Sequence, residues 1–180
     1  MRKMRERRTV VFMVALVLAL PVASQAAVVY GRGALPGMID RAVTIVVGTV
    51  TNVASDMPGH RVVAVHVIDT WKGTPTSELN YIIPDERFAC DMSNGVVGEK
   101  VVLFLGKSWL QNHLAILSDG RGRMAIQGSD SDPVVVLTLP TPEGLIATPT
   151  NVDNGGIASG IRLSALKAYV GSVLNGPSGP

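Results

Sequence analysis

Arg61–Trp71 reads RVVAVHVIDTW, and this stretch decides the fold class. Val63, Val65 and Val67 fall on one side, and Ala64, His66 and Ile68 on the other. A period of two with unlike faces is the pattern of an extended strand, not of a helix. Upstream, Val43–Val53 (VTIVVGTVTNV) is β-branched for most of its length, with Gly48 where a barrel strand bends or bulges. Asp56-Met57-Pro58-Gly59 between the two is turn chemistry. Downstream, Lys72-Gly73-Thr74-Pro75 turns the chain, and Glu78–Ile83 predicts a third strand. Lys100–Leu105 (KVVLFL) is apolar on both faces and reads as a short buried strand. His113–Leu117 and Arg123–Gln127 follow, separated by Asp119-Gly120-Arg121-Gly122, which reads as a hairpin turn. Val134–Leu139, opened by Pro133, is a candidate sixth strand.

The helical signals are few. Pro36–Ala42 fits one helical turn with Met38, Ile39 and Ala42 on one side. Ile161–Leu174 changes period, and Leu163, Leu166, Val170, Val173 and Leu174 form one apolar helix face. Parallel βαβ units need helical patterns between strands, and these are missing. The chain is therefore expected to be mainly β: a small five- to six-stranded barrel with a C-terminal α-helix. A β-sandwich is the alternative, because strand count and turn spacing do not separate the two. Two stretches lack a period. Pro84–Gly98 is polar and long enough to be an excursion loop of the kind that carries function. Residues 141–160, rich in Thr, Pro, Asn and Gly, are expected to be a linker or long surface loop, and 176–180 a disordered tail.

The N-terminus carries an address. Arg2, Lys3, Arg5, Arg7 and Arg8 precede the apolar run Thr9–Val22, and Ser24-Gln25-Ala26 places small residues at the −3 and −1 positions of a signal-peptidase site. Residues 1–26 are expected to be a secretory signal peptide. The apolar run is short of the ~20 residues that a helix needs to cross a bilayer. A retained N-terminal anchor is the alternative, and Arg7-Arg8 leaves the twin-arginine export route open beside the general one. The leader holds five of the 16 Lys and Arg and one of the 14 Asp and Glu, so the remainder carries 11 bases against 13 acids. Its bases are scattered singly, which disfavours nucleic-acid binding. No membrane span is expected after cleavage. Cys90 is the only cysteine, so no intramolecular disulfide forms and stability must come from the core. Cys90 reads as a small apolar residue, with an intermolecular disulfide or a reactive thiol as alternatives. The expected order is signal peptide 1–26, barrel domain 27–140, linker 141–160, helix 161–175 and tail 176–180.

Several pieces then line up: Ile45-Val46-Val47-Gly48-Thr49-Val50, Val65 to Trp71-Lys72-Gly73, Gly98-Glu99-Lys100 leading into Val101–Leu105, and Gly120-Arg121-Gly122. Together, over roughly Asp40–Ile126, they resemble a group of uncharacterised secreted bacterial proteins. The barrel of that group is similar to the netrin-like module, the OB-type barrel of tissue inhibitors of metalloproteases. The resemblance implies an OB-like barrel that presents loops and one face to another macromolecule. It does not bring the inhibitors' mechanism with it. They place a cysteine at the mature N-terminus to chelate the target's zinc, and this chain has Ala27-Val28-Val29-Tyr30 there.

Catalytic patterns are scarce. His60, His66 and His113 make no zinc motif, no nucleophile elbow occurs, and neither Gly31-Arg32-Gly33 nor Gly120-Arg121-Gly122 is a phosphate loop. His66 reads as a partly buried, satisfied histidine and His60 as solvated in a turn. Asp85, Glu86 and Asp91, and the pair Asp130 and Asp132, read as solvated carboxylates, since no complete calcium loop is present. No catalytic residue, cofactor or metal is assigned. Trp71 is expected to plug one end of the barrel. Trp109 is expected to be exposed as a partner anchor, and Arg121 and Arg123 to form an anion-facing edge or to be simply solvated. The leading expectation is an exported, periplasmic or extracellular, non-enzymatic module that binds a protein or envelope component. One alternative is an envelope hydrolase with its site in the 84–98 loop, using at least two of Cys90, Asp85, Glu86, His66 and His113. Another is a structural subunit that docks through its C-terminal helix.

Overall fold

The structure, a computed structural model, describes residues 34–84, 95–110, 112–118, 120–137, 139, 142, 145, 148–151 and 157–176. The expected signal peptide, Cys90 and residues 177–180 lie outside them, as does most of the expected excursion loop. In chain order the elements are helix α1 (Leu35–Arg41), strands β1 (Thr44–Met57), β2 (His60–Lys72), β3 (Glu78–Pro84), β4 (Lys100–Lys107), β5 (Leu114–Ile116), β6 (Arg123–Gln127), β7 (Val134–Leu137), β8 (Thr148–Asn151) and β9 (Ile157–Arg162), and helix α2 (Leu163–Asn175).

Five strands close a barrel. The order is β1-β2-β3-β5-β4, and β4 returns to pair with β1 from Thr44↔Leu105 to Thr49↔Lys100. All neighbours are antiparallel except β3 and β5, which run parallel through Tyr81↔Leu114 and Ile82↔Ala115. This closed arrangement is compatible with an OB-like barrel. The β1–β2 pairing shifts register at four places, one of them between Val47 and Gly48. A β-carbon on Gly48 would lie 2.5 Å from Val65 Cγ1 and 2.6 Å from the His66 carbonyl oxygen, so the bulge depends on glycine.

The remaining strands extend the sheet away from the barrel as β4-β6-β7-β9-β8. Three expectations change here. The strands are more numerous, and β1 and β2 run to 14 and 13 residues rather than being short. The segment expected as a linker contains β8 and the start of β9, and β9 pairs with β7 from Val134↔Arg162 to Leu137↔Ser159. Gly120-Arg121-Gly122, the described part of the expected hairpin turn, does not join a hairpin, because β5 and β6 both run antiparallel to β4 along the same edge. Leu117 N donates to Phe104 O, Phe104 N donates to Gly122 O, and Gly122 N donates to Leu117 O, so a short loop bulges out of one broken strand.

Two apolar layers result, and β4 belongs to both. Val101, Leu103 and Leu105 point into the barrel with Val46, Val50, Val63, Val65, Tyr81 and Ile83. Val102 and Phe104 point the other way and pack with Ile45, Met124, Val135 and Ile161 under the helices. Each such buried side chain contributes roughly 1.5–3 kcal/mol. The α2 face is the one its period predicts: Leu166 and Val170 are buried, Leu163 and Val173 pack at the edge, and Leu174 is 38% exposed. That face is covered by the chain's own sheet and by α1, so it is not free to dock a partner. Lys167 also bonds Asp69 of β2 at 2.6 Å. In α1, Leu35, Met38 and Ile39 are buried, and Lys72 Nζ donates to the Ile39 and Asp40 carbonyls at 2.8 Å each. A cation there satisfies the helix end. Trp71, in turn, packs against the helix-side layer rather than plugging the barrel, and its indole N–H donates to Asp69. Among the described residues no helix is long and apolar enough to cross a membrane.

Candidate functional site

One rim of the barrel brings two loops together. The β1–β2 turn is Pro58-Gly59, with Gly59 at φ +73°, a left-handed conformation that glycine adopts without strain. The β4–β5 loop spans residues 108–113 and is tied down from within. Ser108 N donates to His113 O at 2.9 Å, Leu110 N donates to Ser108 Oγ at 3.1 Å, and His113 N donates to Leu110 O at 3.3 Å. Asn112 takes a left-handed φ of +67°, which asparagine tolerates. This frame holds Trp109 out into solvent at 82% exposure. Its ring meets His60, the first residue of β2, edge to face, with centroids 6.1 Å apart and planes at 61°. His60 Nδ1 lies 3.3 Å from Pro58 O, an acceptor, so Nδ1 is the donor and Nε2 of the neutral ring is left as an acceptor.

The other expected site residues divide. Arg121 is exposed on the loop between β5 and β6. Arg123 is only 9% exposed and donates to Glu99, so it is neither solvated nor part of an outward edge. The reason is register: Arg123 stands opposite Leu103, a barrel-interior position. Arg123, Glu99 and the fully buried Tyr81 therefore form a polar group at the barrel interior. Burial pushes the Tyr81 hydroxyl up to about 12, with Arg123 opposing the rise and Glu99 adding to it. The hydroxyl lies within electrostatic reach of the guanidinium, but its geometry falls short of a hydrogen bond.

The remaining polar candidates have structural partners or face away. His66 is exposed on the outer face of β2 rather than partly buried, because the valines on either side of it fill the barrel. Asp130 and Asp132 are solvated, as expected, at 90% and 60% exposure, and they meet Lys100 and Arg162 in surface ion pairs. Among the described residues no cluster of three or more His, Cys, Asp or Glu is placed to hold a metal. Asp85, Glu86, Cys90 and Asp91 lie outside the described residues. The motifs behind the family resemblance have local explanations. Gly73 (φ +95°) leaves room for Thr44, Gly98 (φ +89°) makes the turn before Glu99, and a β-carbon on Gly122 would come within 2.8 Å of Phe104 O.

Sequence reasoning found Trp109 but not its neighbour. His60 and Trp109 are far apart in sequence, and only the barrel order shows that the β1–β2 and β4–β5 loops share an end. In OB-type barrels these two loops flank the binding face. Comparison with protein-family models and with curated proteins finds no match.

Proposed function

We propose that this chain is an exported, non-enzymatic binding module that engages a macromolecule of the cell envelope through the barrel rim carrying Trp109 and His60. The observation that carries the reading is a tryptophan 82% exposed on a loop braced by its own hydrogen bonds. Large aromatic surface left in water on a rigid support is what a binding anchor requires: ordering costs are already met and the apolar gain is still to come. Export rests on the leader, residues 1–26, and places the module in the periplasm or the medium. The netrin-like relationship rests on the motif resemblance together with the closed five-strand order.

The test has two parts. The mass of the chain recovered outside the cytoplasm should correspond to a start at Ala27, and an unprocessed cytoplasmic chain removes the export half of the proposal. Immobilised protein should retain an envelope component that Trp109→Ala releases. Retention unchanged by Trp109→Ala overturns the rim as the binding surface.

A further inference from the structure

We infer that the Trp109–His60 rim is a saccharide subsite, in which a neutral pyranose ring lays its C–H face on the indole while its hydroxyls bond the imidazole and neighbouring polar groups. This rests on the binding reading above and gives it a ligand class. A protein-binding hot spot sits within a packed apolar patch. Among the described residues the other large exposed hydrophobics are Val43, Ile68, Val96, Val97 and Leu174, none of them in the Trp109 loop or the Pro58-Gly59 turn. The described residues around Trp109 in the chain are Lys107, Ser108, Leu110, Asn112 and His113, among which hydroxyl, amide and imidazole side chains predominate. Leu110 is half-buried and adds little outward apolar surface. One flat aromatic face among neutral donors and acceptors matches a sugar, which is itself apolar on its ring face and polar round its rim.

Charge and hydrogen bonding point the same way. Lys107 is the only ionic side chain in that loop and Arg61 follows His60, so among the described residues the rim lacks the row of bases that would select a polyanion. A membrane-surface anchor needs several apolar side chains with a basic face, and among its described residues this rim offers one exposed aromatic, Trp109. The His60 ring, with Nδ1 turned to Pro58 O, keeps Nε2 as an acceptor suited to a sugar hydroxyl.

The chain has two tryptophans, and Trp71 is half-buried and bonded to Asp69, so a ligand-induced change in exposed-indole fluorescence reports Trp109. The exported chain is titrated with pentamers of N-acetylglucosamine and of glucose, followed by fluorescence and calorimetry. Binding should shift the emission to the blue. Trp109→Ala should weaken it at least about tenfold, while Trp109→Phe retains part of it. In parallel, envelope extract is treated with periodate, which cleaves vicinal diols, or with protease before capture. Capture that depends on Trp109 and is lost to periodate supports the inference. A 1,4-linked N-acetylglucosamine chain has no internal vicinal diol and resists periodate, so for that sugar the pentamer titration decides. Two silent pentamers together with capture that survives periodate but not protease overturn it, while leaving the rim as a protein-binding surface. Capture indifferent to Trp109→Ala removes the broader reading as well.

Discussion

Arg123 carries a charge into the barrel wall, and its consequences can be measured at single residues. Glu99 is 22% exposed and Arg123 9%, so the two ends of the pair differ in access to water. Glu99→Gln takes the carboxylate from a buried guanidinium and should cost about 2–3 kcal/mol, read from urea unfolding midpoints. Arg123→Met should cost less, because the carboxylate left behind can turn to solvent and the methionine fills an aliphatic interior. Equal costs would mean that the pair is not buried as described. Tyr81 makes a separate prediction. Its folded-state pKa is raised to about 12 from the ordinary 10.0, so its contribution is complete below about 10 and is lost as the pH rises toward 12. Tyr81→Phe should therefore leave stability near neutrality within about 1 kcal/mol, since the hydroxyl has no well-formed partner. It should also move the alkaline unfolding limb, followed by circular dichroism, to higher pH.

At the scale of elements, the bulge at Gly48 curls β1 tightly enough to reach both β2 and β4. Gly48→Ala sets a methyl against the His66 carbonyl, a backbone atom that cannot turn aside. A loss of about 2–3 kcal/mol is expected in thermal or urea unfolding. A variant as stable as the parent would show that the bulge can relax. The period-two runs in β1, β2 and β4 were legible because each strand writes its burial directly into alternating valines and leucines. The α2 face was legible for the same reason, at a different period. The β8–β9 hairpin was not. Thr148-Pro149-Thr150-Asn151 has turn composition, and it is a strand because β9 lies beside it. The loop between β5 and β6 was misread because Gly120 and Gly122 serve a bulge as well as they serve a hairpin. Arg123 was misread because a charged residue beside a turn gives no sign of which face its strand will bury. His60 beside Trp109 follows from strand order alone, which no local pattern states.

For the whole molecule, the two apolar layers share one wall and should unfold together. Leu166 is fully buried against the helix-side layer, and Leu166→Ala should cost about 2–5 kcal/mol. The loss should appear in a single transition that also exposes the barrel, with fluorescence and circular dichroism midpoints coinciding. Two separated transitions would show that the barrel holds without its helical cover. The long-range pairing β1 with β4, together with β9 returning to β7, makes most contacts non-local, so folding should be slow for a chain of this size.

The shared wall also affects how the protein tolerates errors of alignment. Most strands are policed by polarity, because sliding one residue would drive charges inward. The middle of β4, Val101 to Leu105, has no such marker, since either alternation is oily. Only its ends hold it in place: Glu99 fastened to Arg123 before it, and after it Gly106, where an added β-carbon would strike Leu117 at 2.6 Å. A one-residue insertion in β4 would thus pass every hydrophobicity check and still turn the molecule inside out.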